Sequence, residues 1–229
     1  MKTILIFAVL FLSFTNSVFA QHEYAPIQER EIKYKNWNYK SVRADARTID
    51  LREFARGKKL VMVVYFAQWC PNWKYEAPVA QKFYDKYKKY GFDVVGVSEY
   101  DTVAATRANL DERKITFPVV SESESKDAKQ KTLHYEYRQK TGDTRSWGSP
   151  WNLFLETANL KTDGDTLLKK AFVVNGELIE VETEKFIRQK LGLPAEETKP
   201  KTTAQTGKTI EACEAETKTA TFKKPVLKK

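Results

Sequence analysis

Residues 60–78 read LVMVVYFAQWCPNWKYEAP, and the reading of that stretch decides the fold. Its first part is an unbroken run of apolar, β-branched and aromatic residues, the pattern of a strand buried on both faces. The run ends at Trp69-Cys70-Pro71, where a helical pattern starts at once. Pro71 suits a first helical position, because a helix leaves its first N–H groups unpaired anyway. Trp73, Ala77, Ala80, Tyr84 and Tyr87 then recur at spacings of four and three, which is one face of a helix. Cys70 is thereby placed among free N–H donors at the positive end of a helix dipole, a setting that favours a thiolate over a thiol. The spacing predicts a reactive sulfur. The bland alternative is a small residue closing a buried strand.

The full chain has 229 residues, enough for one domain with a substantial core and tails. Residues 1–20 read MKTILIFAVLFLSFTNSVFA, with Lys2 before an apolar run and Val18-Phe19-Ala20 as a small-residue cleavage site. This is the pattern of a secretory signal peptide cut after Ala20, so a periplasmic or secreted address is expected. No other apolar run approaches the length of a membrane span, so the chain is not expected to cross a membrane. The formal charge of +9 is interleaved with acidic residues through the body rather than gathered in a stripe. It therefore reads as a solvated surface, and no nucleic-acid partner is expected.

Further along, residues 37–42 and 48–51 suggest short strands, with a helical turn at 51–54. After the motif helix, which ends near Tyr90-Gly91, residues 92–98 read as a second buried strand and 102–113 as a helix. Residues 121–146 are charged and weakly periodic, an insertion with His134, Tyr135 and Tyr137 on a helix or a surface loop. Pro150 opens the run WNLFLE, where a proline is tolerated at the first residue of a strand. Residues 167–174 read as the last strand, Asn175-Gly176 as a hairpin-type turn and 182–191 as a closing helix. The expected division is a signal peptide at 1–20, a domain at 21–193 and a disordered Lys/Thr/Glu-rich tail at 194–229.

WCPNWKYEAP resembles the WCxxCxxExP stretch of thioredoxin-like proteins of the TlpA/ResA type. Trp69, Cys70, Pro71, Glu76 and Pro78 fall at that family's tryptophan, attacking cysteine, motif proline, helix glutamate and helix-kinking proline. The family's second cysteine is Trp73 here, so the thiol that would release a mixed disulfide is missing from the motif. The resemblance implies an α/β thioredoxin fold, a central mixed sheet flanked by helices, with an N-terminal hairpin extension over the lead-in to Cys70. It implies further that Pro150 is cis beside the cysteine and that the Ser149 backbone bonds an extended substrate peptide. Trp69, Pro71, Trp73, Ser149 and Pro150 are thus the implied substrate-binding residues, and Cys70 and Glu76 the catalytic ones.

Several residues carry two readings. Glu76 either tunes proton transfer at the sulfur, as the resemblance implies, or is a solvated helix carboxylate. Trp73 either covers the sulfur and offers a platform to a peptide, or packs in the core. Val64 stands where thioredoxins themselves place a buried aspartate, so that proton relay is absent. His22 and His134 have no metal-ligand spacing, no glycine-rich phosphate loop is present, and neither metal nor other cofactor is expected. Around Cys213 the sequence TIEACEAETK has Ile210 as its apolar anchor, so a tail thiol unpaired or paired between chains is expected over an internal bridge to Cys70. The leading function is an extracytoplasmic, monothiol thiol–disulfide oxidoreductase acting on protein thiols or disulfides. The alternative is a redox-inactive module that binds an extended peptide. A peroxide-reducing single-cysteine enzyme ranks last, because the residues before Cys70 lack the Pro-x-x-x-Thr-x-x-Cys pattern of peroxiredoxins.

Overall fold

Seven consecutive buried residues, Leu60–Phe66, form strand β5 in the middle of an eight-stranded sheet. The structure is a computed structural model, and it describes residues 22–45 and 47–195. The leader, its cut after Ala20, most of the tail and Cys213 lie outside the described residues. Strand β5 pairs in parallel with β6 (Phe92–Ser98) and antiparallel with β8 (Trp151–Glu156), so both its edges are satisfied and both its faces covered. Leu60, Met62, Val64 and Phe66 point into one core, and Val61, Val63 and Tyr65 into the other. This period of two is why no polar residue interrupts the strand.

The elements before β5 are β1 (Tyr24–Ala25), β2 (Gln28–Lys35), β3 (Asn38–Ser41), β4 (Thr48–Asp50) and α1 (Leu51–Ala55). After it come α2 (Pro71–Tyr87), then β6, α3 (Val103–Glu112), β7 (Val119–Ser121) and α4 (Leu133–Thr141). The chain closes through β8, β9 (Thr166–Val174), β10 (Glu177–Leu178) and α5 (Glu180–Leu191). The main sheet runs β2-β9-β8-β5-β6-β7-β3-β4, mixed in direction and flanked by helices, which is the thioredoxin-type α/β architecture. The β3–β4 hairpin forms as expected, with Asn38 opposite Asp50. It is no appendage, because β3 also pairs with β7 and extends the sheet.

The structure adds to the sequence expectations at three places. Strand β2 is not legible in the sequence, because its exposed residues are polar or charged and two of its eight side chains, Ile32 and Tyr34, reach the core. Its partner β9 supplies the pairing that its composition does not advertise. Asn175-Gly176 is not a hairpin turn, since β10 pairs in parallel with β1 and not with β9. Gly176 is needed there for room: a Cβ would lie 2.1 Å from the Glu23 carbonyl oxygen. Residues 121–146 place His134, Tyr135 and Tyr137 on a helix, the first of the two settings expected for them. They hold a short 3-10 helix, Lys126–Lys131, and then α4, whose His134, Tyr137 and Arg138 are fully buried.

Candidate functional site around Cys70

Helix α2 begins where β5 has delivered the chain to the edge of the core. Cys70 is its N-cap residue with an extended backbone, and Pro71 fills the first turn, where no amide hydrogen is missed. The Cys70 amide donates to the Ala67 carbonyl at 2.9 Å, which closes the turn between strand and helix. The sulfur is half-buried and is the one free cysteine among the described residues. Its thiol donates to the Ser149 carbonyl oxygen at 3.0 Å.

Ser149 belongs to the loop before β8, and the Ser149–Pro150 bond is cis. The Ser149 hydroxyl accepts from the Ala67 amide at 2.8 Å, so the loop is pinned to the end of the strand that leads to Cys70. The Pro150 carbonyl accepts from Arg145 at 2.8 Å. Arg145 also pairs with Asp143, which is buried and bonded in turn to the fully buried Arg138 at 2.9 Å. Burial alone would raise the Asp143 carboxyl, but the hydrogen bonds and charges of Arg145 and Arg138 outweigh it and hold the group below the usual range.

The two tryptophans beside the sulfur have different settings. Trp69 is half-buried, packs edge-on against Trp147 with ring centres 5.1 Å apart, and carries the Lys126 ammonium 4.4 Å from its ring centre. The Lys129 ammonium lies 4.6 Å from the Trp147 ring centre, so the 3-10 helix roofs the aromatic pair with cations. Pro71 is exposed. Trp73 is fully buried: its ring stacks on Phe66 at 4.0 Å and its Nε1–H donates to Asn109 Oδ1 at 3.1 Å. Of its two readings the structure carries core packing, and the ring offers no surface to a peptide.

Glu76 is not a solvated carboxylate. It is buried, with Oε2 accepting from the Leu178 amide at 2.8 Å and from Asn152 Nδ2 at 3.2 Å. Burial dominates these bonds and pushes its pKa up to about 8. Since Oε2 already accepts two N–H groups and Oε1 has no partner, the proton of the neutral acid sits on Oε1. Asn152 lies opposite Val64 in the β5–β8 register, so this polar seam crosses the sheet beside the position where the relay aspartate is missing. Among the described residues no group of three or more His, Cys, Asp or Glu side chains could hold a metal ion. No helix of the described residues is long and apolar enough to cross a membrane.

Sequence reasoning missed the residues behind the loop. Tyr100 and His134 are buried and bonded to each other, and Arg138 packs against Gly148. The available signal was Gly148 just before Ser149-Pro150, which marks a backbone that something approaches closely.

Comparison with known proteins bears on the family and the fold. The family described as AhpC/TSA matches residues 32–146. The thiol-disulfide oxidoreductase ResA of Oceanobacillus iheyensis is 37% identical over 79 residues, which cover 34% of this chain and 40% of that protein. A chloroplastic peroxiredoxin Q of Triticum aestivum is 29% identical over 110 residues, covering 48% of this chain and 42% of that protein. The chain thus spans about two-fifths of the length of these curated relatives. The crystal structure of a thiol:disulfide interchange protein of the thioredoxin family from Chlorobium tepidum superposes with a TM-score of 0.50 at 18% identity, over 73% of this chain and 100% of that one. The chain belongs to the AhpC/TSA family and carries its lone described cysteine on a thioredoxin fold.

Proposed function

We propose that the chain is a thiol–disulfide oxidoreductase that works outside the cytoplasm with Cys70 as its single motif thiol. The observation that carries this reading is the sulfur itself, half-buried at the start of α2 and facing the loop that ends in a cis proline. The Cys70 thiolate attacks one sulfur of a partner disulfide. A Cys70–partner disulfide forms, the partner's second sulfur leaves as a thiolate, and that thiolate takes a proton from solvent. With Trp73 in the core, the motif supplies no second thiol to reverse the step. An external thiol gives its proton to solvent, attacks the partner's sulfur as thiolate, becomes joined to it, and returns Cys70 as thiolate. Electrons balance, because one disulfide is consumed and one is formed.

The partner is a protein thiol or disulfide, presented in extended form to Trp69, Pro71 and the Ser149-Pro150 loop. Ser149 enters this reading through its carbonyl, which the Cys70 thiol occupies and which a bound peptide would have to share or displace. Glu76 serves as a buried proton store behind the site, titrating in the neutral range. The extracytoplasmic address rests on the leader pattern of residues 1–20.

The test is disulfide exchange with insulin and a monothiol reductant, comparing the natural chain with Cys70→Ser. The natural chain should accelerate reduction, form a trappable mixed disulfide at Cys70 and lose both properties in the serine variant. If natural chain and variant are equally inert yet both bind an unfolded peptide, the module that binds without turnover is the correct reading.

A further inference from the structure

We propose that Tyr100 and His134 are positioning residues for Cys70, acting through the Gly148 backbone to fix the Ser149 carbonyl that receives the thiol proton. The inference rests on the reading of Cys70 as the reacting sulfur. The chain of contacts is continuous. The Tyr100 hydroxyl lies 3.0 Å from His134 Nδ1, and His134 Nε2 lies 3.1 Å from the Gly148 carbonyl oxygen. A carbonyl has no proton to give, so Nε2 carries the ring hydrogen and donates it. Nδ1 of the neutral ring then accepts from Tyr100. Burial, and after it the charge of Arg138, hold His134 well below its ordinary pKa, which keeps the ring neutral and this tautomer in place. The imidazole is also clamped from its face, stacked on Tyr65 with ring centres 5.1 Å apart.

Both ends of the chain are referred to β5. Next to Tyr100, the Glu99 amide donates to the Phe66 carbonyl at 2.9 Å. At the other end, Ser149 bonds Ala67 through its hydroxyl and Cys70 through its carbonyl. Tyr100 has a positive φ of 65°, a conformation that a residue with a side chain adopts at a cost. That conformation is where its buried phenol meets His134. Gly148 also has positive φ, at 56°, and a Cβ there would lie 1.7 Å from Arg138 Nε. The guanidinium thus blocks the loop from one side while His134 holds its carbonyl from another. A core filler in place of His134 would pack, but it would leave the Gly148 carbonyl free to turn and the Ser149 carbonyl free to leave the sulfur.

The experiment uses the full chain and three variants: His134→Leu, His134→Gln and Tyr100→Phe. Iodoacetamide labelling at fixed pH is followed by mass spectrometry of the peptide that contains Cys70, so that Cys213 does not enter the rate. Thermal unfolding is recorded alongside. In His134→Leu, alkylation should rise roughly threefold to tenfold, the factor that one neutral hydrogen bond carries, because the thiol loses the acceptor of its proton. Tyr100→Phe removes a single oxygen, keeps the fold even where the leucine variant does not, and should raise the rate about threefold by the same argument. His134→Gln can donate to Gly148 and accept from Tyr100, and should return the rate to within about twofold of the natural chain. Lower melting temperatures with unchanged Cys70 labelling would mean that the pair only fills the core, and would overturn the proposal. So would a glutamine variant that behaves like leucine. Absence of disulfide exchange in the natural chain would count against the proposed function alone, because the labelling rates judge the positioning independently.

Discussion

Glu76 and Trp73 sit on one buried face of α2, and each answers a question that residue type alone leaves open. A glutamate within two helical turns of a cysteine is ambiguous, because the same spacing serves a solvated face and an inward one. The choice is made by Leu178 and Asn152, which are far away in sequence and supply the donors that make burial tolerable. The raised pKa has a signed consequence for stability. In the folded state the group stays neutral up to about 8, whereas its ordinary value is 4.5. Its protonated form therefore contributes in full below the ordinary value, and the contribution is lost as pH rises through the folded one. Natural protein should lose on the order of 4 kcal/mol of stability across that window from this group. Glu76→Gln keeps an oxygen for Leu178 and Asn152 and has no proton to lose. Urea unfolding at pH 5 and pH 8.5 should show the decline in the natural chain and its absence in the glutamine variant.

The loop from Asp143 to Pro150 is the element on which the site depends, and it is held by ion pairs as well as by the Trp147 ring against Trp69. Arg138 and Asp143 are buried and the half-buried Arg145 joins them, with Asp143 holding both arginines. Such a group contributes geometry more surely than stability. Gly148 tests this. Arg138 is a flexible side chain in general but has nowhere to retreat here, being fully buried and paired. Gly148→Ala should cost about 2–5 kcal/mol, from the positive φ together with the overlap. Gly164→Ala is the control, because φ is 71° there but nothing lies within 4 Å of the added carbon. It should cost about 1–2 kcal/mol, the backbone part alone. Chemical denaturation of the two variants measures the difference, and equal losses would show that Arg138 yields.

At the scale of the whole molecule, legibility follows burial pattern. The strand at 60–66, the helix after Cys70, the strand at 92–98 and the hairpin before them are readable because each has a period that a neighbour must satisfy. Strand β2 is not, since most of its side chains face water and its place is assigned by β9. Helix α4 is legible only as one of two settings, because its buried side chains include a histidine and an arginine, which a reading of apolar periodicity counts as surface. Within the site, Cys70 could be anticipated from local order and the cis bond at Pro150 from the family resemblance, whereas Tyr100, His134 and Asn152 are joined by contacts between distant segments.

Trp73 also bears on which changes are open to this chain. Trp73→Cys, a single replacement, would create the two-thiol spacing on paper. It would also open a void above Phe66 and remove the indole donor from Asn109, at a cost of about 3–5 kcal/mol by the measure of large-to-small core changes. Thermal melts of Trp73→Cys alone, and of the same change joined to apolar replacements at Asn109, should show the second variant recovering part of the loss. A second motif thiol at position 73 therefore comes with a loss of stability that a compensating change in the core has to offset. In the language of adaptive landscapes, the indole sits on a local peak: easily kept, and exchanged for a thiol only across a valley.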